Sequence, residues 1–165
     1  VTTTPRTWVV GETVTAALMN TEIRDQFNSF FGAWTTYTPT WTGTSSNPSV
    51  GNGNLIGRYL KVGRTVTVHV NLVPGSTSTY GAGNYNFTLP ATAANSGCTY
   101  MGNAHLLGGA RWGGQWLVSP NATQAGPTFP AGTADTRVAL MSPTAPETLA
   151  AGAQLRMTVT YEAAS

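Results

Sequence analysis

Apolar and polar residues alternate without a break near the middle of the chain. Val66, Val68, Val70 and Leu72 share one face, and Thr65, Thr67, His69 and Asn71 share the other. Successive side chains of a strand point to opposite sides, so this run predicts a β-strand with one buried and one wet face. Tyr59, Leu60 and Val62 supply a hairpin partner across a tight turn at Gly63-Arg64. The same period of two returns at Tyr85, Phe87 and Leu89 before Pro90 stops it. It returns again at Leu155, Met157, Val159 and Tyr161, with Gln154, Arg156, Thr158 and Thr160 outward. Residues 34–41, 98–107 and 137–141 read as further strands, Pro39 marking an edge or a bulge. Residues 110–118 read as a hairpin turning at Gly113-Gly114 or as a bulged strand, and 43–53, 74–83, 119–134 and 143–152 as loops. Short strands, numbering seven to nine, with no helical period after residue 32, predict an all-β domain, an antiparallel β-sandwich or a jelly roll.

One segment has a different period. Residues 1–13 read as an extended arm; Thr15 then caps a helix opened by Ala16, Ala17, Leu18 and Met19 and ended by Gly32. Asn20, Ile23, Phe27, Phe30 and Trp34 recur at spacings of three, four, three and four, the a/d seam of a short coiled coil. Asn20 takes the polar a-type position that can fix register and oligomer state. A helix this short is marginal alone, so it needs sister helices or its own sheet to lie on, and both readings stand. The chain therefore divides into an anchoring and oligomerising region, 1–33, and a β-sandwich domain, 34–165.

Composition sharpens this picture by what it lacks. Charged residues are 8% of the 165, far below the roughly 25% usual in soluble proteins. The resulting surface, rich in Thr, Ser, Asn and Gly, suits an extracellular or virion-exposed β-module. A formal charge of +2, with the Arg residues scattered singly, argues against a nucleic-acid partner or an anionic membrane. No apolar run approaches the ~20 residues that span a bilayer, and the first residues lack signal-peptide organisation. Cys98 stands alone, which excludes an intrachain disulfide and a cysteine metal site; an inert, partly buried thiol is expected.

Catalytic patterns are absent from the sequence, and neither a cofactor nor a metal is expected. His69 on the polar face of its strand reads as a surface or interface residue; only His105 is available to join it as a metal pair. The β-domain carries Asp135, Glu147 and Glu162, too few to make the paired carboxylates of glycoside hydrolysis an attractive reading. The aromatic residues are more informative, because Tyr80, Trp112 and Trp116 stand beside Gly, Asn and Thr. Sugars bind flat aromatic faces flanked by amides and hydroxyls, which makes these three candidate glycan contacts. For Trp112 and Trp116 the competing reading is a place in the core or a subunit seam.

The first half of the chain also resembles small virion structural proteins, minor tail or fibre-like, of tailed phages infecting actinobacteria. The resemblance rests on Arg6-Thr7-Trp8, Gly11-Glu12, Val14-Thr15-Ala16, Asn20-Thr21 and Arg24-Asp25, with Met19 where a leucine is usual. It continues through residues 34–41, Asn47-Pro48, Gly51-Asn52-Gly53 and residues 57–66, and covers about the first 90 residues. It implies a structural role on the exposed surface of a virion, as a homotrimer anchored to other virion proteins through residues 1–33. Within that role a tail fibre or receptor-binding protein, a head or tail decoration protein, and a hydrolytic tailspike acting on cell-wall polysaccharide are the alternatives. The resemblance carries over no catalytic residue.

Overall fold

The computed structural model describes residues 6–132 and 135–164. Strands hold 45% of the chain and helix 10%, so the protein is all-β with one short helical region near its N-terminus. That region runs as α1 (Ala16–Met19), a π-helical segment (Asn20–Arg24) and α2 (Asp25–Phe31). Thr15 caps it, its hydroxyl accepting from the Leu18 N–H at 3.2 Å, and Gly32 ends it by turning extended.

Among the described residues eleven strands follow: β1 (Thr35–Tyr37), β2 (Trp41–Gly43), β3 (Asn54–Val62), β4 (Thr65–Val73), β5 (Tyr85–Thr88), β6 (Tyr100–Leu107), β7 (Arg111–Val118), β8 (Gln124–Ala125), β9 (Pro127–Gly132), β10 (Asp135–Leu140) and β11 (Gln154–Glu162). Eight form one antiparallel sheet in the order β1-β3-β4-β11-β6-β7-β9-β10; three form a small sheet, β2-β5-β8. A jelly roll has two sheets of similar size, so these unequal sheets make the fold a sandwich with a small lid.

The alternating strands behave as their patterns require. Val66, Val68, Val70 and Leu72 of β4 and Leu155, Met157, Val159 and Tyr161 of β11 are buried side by side, in register from Leu72↔Leu155 to Val66↔Tyr161. Tyr85 and Phe87 close over them from the small sheet, around Trp41. The Trp41 ring lies parallel to Phe87 at 6.4 Å and edge-on to Tyr85 at 5.0 Å. Burial pushes the Tyr161 phenol up to about 12, partly offset by the Ala91 N–H donating to its oxygen at 3.3 Å, while the phenol O–H donates to the Ala91 carbonyl at 2.7 Å. The Tyr161 side chain thus ties the 90s loop to β11.

Three expectations need correcting. Residues 34–41 are not one strand: β1 joins the large sheet, β2 the small one, and buried Pro39 lies in the crossover. Residues 111–118 form one unbroken strand, in which the inward Gly114 leaves room for the Phe129 ring. Residues 119–134, read as a loop, contain β8 and β9. Pro127 and Pro130 do not prevent β9 from pairing, because it lies next to the edge strand and bonds only Gln115 and Trp116 of β7.

Candidate assembly and ligand surfaces

The helical region is amphipathic but turned with its polar side toward its own domain. Asp25, Asn28, Ser29 and Gly32 line a cleft of about 540 Å³ whose other wall is the β3–β4 hairpin at Tyr59, Leu60, Lys61 and Gly63. The apolar side faces water: Phe27 is 59% exposed, Phe30 63% and Phe31 83%, with Met19 and Ile23 also exposed. No residue of the helix is buried. An amphipathic helix lying on its own sheet would do the reverse, so the described structure contradicts that reading.

The heptad seam is also modified. The π-helical segment takes in Asn20 and Ile23, and its wider turn rotates them relative to Phe27 and Phe30. Trp34 lies beyond the helix end and packs on the outer face of the large sheet, its ring 4.7 Å from that of His69. Ahead of the helix, Trp8, Val9, Val10 and Val14 are exposed too. Among the described residues the arm folds on itself through the Arg6–Glu12 ion pair, the Arg6 guanidinium over the Trp8 ring, the Val9 N–H donating to the Glu12 carboxylate and the Glu12 N–H donating to the Val9 carbonyl.

The three aromatic glycan candidates separate. Trp116 has no exposed surface; its indole N–H donates to the Ala125 carbonyl at 3.1 Å, joining the large sheet to the small one. It offers no face to a sugar, and the core reading replaces the contact reading. Trp112 is 9% exposed, and its indole N–H donates to Glu147 at 3.0 Å, so it too is chiefly a core residue. Tyr80, half-buried in the β4–β5 loop, leans edge-on against Trp41 at 6.4 Å and keeps part of its ring in water. The structure does not bring the three together into one platform.

Glu147 is a structural acid. Its carboxylate accepts from the Gly109 N–H at 2.8 Å, the Ala110 N–H at 3.0 Å and Trp112, closing the β6–β7 turn. These bonds, Trp112's foremost, hold its carboxyl below the usual range against the opposing cost of desolvation. A group with a lowered folded pKa contributes stability above its unfolded pKa and loses it as pH falls through the folded one. Glu147→Gln should therefore melt lower than the parent near neutrality, by about 1 kcal/mol. That gap should close as pH falls through and below the usual carboxylate range, read by thermal melts across it.

Glu162 pairs with Arg64 at 3.0 Å at the other end of β11, so these two carboxylates are held apart. Asp135's side chain lies outside the described residues. His69 and His105 sit on β4 and β6 with β11 between them, facing Thr158 and Arg156 respectively. Among the described residues no three potential ligands cluster for a metal. Cys98 is exposed, not partly buried. No helix among the described residues is long and apolar enough to cross a membrane.

Sequence reading gave outward residues strand by strand but missed how they line up across the large sheet. Arg58, His69, Thr158, Asn103 and Gln115 stand opposite one another across β3, β4, β11, β6 and β7. Each strand shows its outward residues by alternation, but only the strand order aligns them in a row. No known protein family, curated protein or solved structure matches this chain.

Proposed function

We propose that the chain is a structural component of a phage virion, a homotrimeric tail fibre or receptor-binding protein. In this reading residues 1–33 assemble three copies and anchor them to other virion proteins, and the β-sandwich is presented to the host surface. The observation that carries it is the apolar side of the helix, with Ile23, Phe27 and Phe30 in water while the polar side faces the domain. Covering such side chains stabilises by roughly 1.5–3 kcal/mol each, which three chains meeting about one axis would gain together. The N-terminal resemblance to virion proteins points the same way, as does the nearly uncharged outer surface. No step of catalysis belongs to this role.

The test is binding of the fluorescently labelled full chain to isolated actinobacterial cell walls. Saturable binding, competed by unlabelled protein, is expected. Absence of binding to every wall tried would remove the host-facing role and leave a decoration protein.

A further inference from the structure

The outer face of the large sheet carries a second set of side chains that assembly does not use. A depression of about 310 Å³ lies there, lined by His69, Asn71, Asn103, His105, Arg156 and Thr158. Its geometry follows from register: Asn71, Arg156 and His105 form one row, and Arg58, His69, Thr158 and Asn103 the next. With strands about 4.8 Å apart, the second row continued to Gln115 is about 19 Å long. Trp34 stands at one end against His69. At the β7 end Gly113 opposes His105, and even an added Cβ there would meet nothing within 4 Å.

Around the depression the outward charges have one sign. Arg58, Arg111 and Arg156 occupy outward positions, and Arg156 donates to the neutral amide of Gln154. Four of the described acids are engaged elsewhere, Glu12 with Arg6, Asp25 with Arg24, Glu147 with the β6–β7 turn and Glu162 with Arg64, and Glu22 lies on the helical region. Glu162 faces the same side but lies four residues along β11 from Thr158. A face that gathers guanidinium groups, amides and imidazoles in an otherwise charge-poor protein suits a ligand that is hydroxyl-rich and anionic. Guanidinium pairs carboxylate or phosphate with directed hydrogen bonds, and Asn amides both donate to and accept from sugar hydroxyls.

We propose that this face binds an acidic saccharide chain, one bearing repeated carboxylate or phosphate groups. The anion sits on Arg58 and Arg156, the hydroxyls on Asn71 and Asn103, and a sugar ring against Trp34. This rests on the reading that the β-domain meets a host surface, and it moves the contact away from Trp112 and Trp116. Packing three copies through this face would bring like charges together, which argues against its being the subunit seam.

Calorimetric titration of the full chain tests it, with oligogalacturonate as the carboxylate probe and a phosphomannan oligosaccharide as the phosphate probe. Uncharged dextran oligosaccharide and oligothymidylate serve as comparisons. Binding to either charged saccharide, weaker by about tenfold in Arg58→Ala and in Arg156→Ala with unchanged melting temperature, is expected; which probe binds identifies the anion. Equal binding of dextran would overturn the role of charge, and equal binding of oligothymidylate would overturn the saccharide. Charged-saccharide binding lost in Tyr80→Ala but kept in both arginine variants would overturn this location while leaving a host-binding role. Binding that survives in a chain found to be monomeric would support the site and defeat the trimer.

Discussion

Replacing Phe27 and Phe30 together by aspartate is expected to turn the proposed trimer into monomers while leaving the sandwich folded. Both rings are more than half exposed in the single chain and touch none of the core, so their loss costs the monomer little. In the assembled form each chain would forfeit roughly 1.5–3 kcal/mol per ring and gain carboxylates crowded about one axis. Sedimentation velocity should show one slow species where the parent shows a faster one. The melting temperature of the β-domain should move by less than about 2 °C apart from any loss of concentration dependence. A double variant that still sediments as the parent would place the interface in the sheets.

Trp116→Ala should be the most damaging single change within the sandwich. Its side chain is fully buried, and removing it opens a large cavity between β7 and the small sheet. It also leaves the buried Ala125 carbonyl without the indole N–H that bridges the two sheets. Together these should cost about 4 kcal/mol. For a domain of this size that lowers the melting temperature by roughly 10 °C. Trp116→Phe should cost about half as much, because the ring is kept and only the bridge and part of the volume are lost. Chemical denaturation midpoints would rank the two. A Trp116→Ala variant as stable as the parent would mean that the two sheets do not depend on this contact.

Much of the sandwich was legible because its strands have one wet face. In β4 and β11 every second residue is apolar, and the structure buries each of those eight side chains. Where both faces are covered or a strand is very short, alternation carries no signal: β8 has two residues and β9 opens with proline, so both were read as loop. The sheet change at Pro39 was signalled only as an edge or bulge, since a proline marks an interruption without saying which sheet the chain joins next. Gly113-Gly114 suggested a turn, yet Gly114 sits mid-strand because Phe129 occupies the space a side chain would need.

Legibility of the site was lower, for a related reason. The spacing of Ile23, Phe27 and Phe30 is visible in one dimension, but its orientation relative to the sheet is a tertiary fact. Trp112 and Trp116 showed how little a tryptophan's neighbours reveal: flanking glycines suggested a surface, whereas both side chains point inward by the parity of β7. The row from Arg58 to Gln115 draws on five strands whose paired residues lie up to 89 positions apart, as between His69 and Thr158, and no local pattern joins them.

In the proposed assembly residues 1–33 hold three chains together and the sandwich alone does not. Its most direct test is the native mass in solution, by light scattering behind a sizing column, of the full chain and of a chain beginning at Trp34. The full chain should have the mass of three 17.2 kDa subunits, and the shortened one the mass of a single folded domain. A full chain that runs as a monomer, or a trimer that survives the truncation, would contradict it.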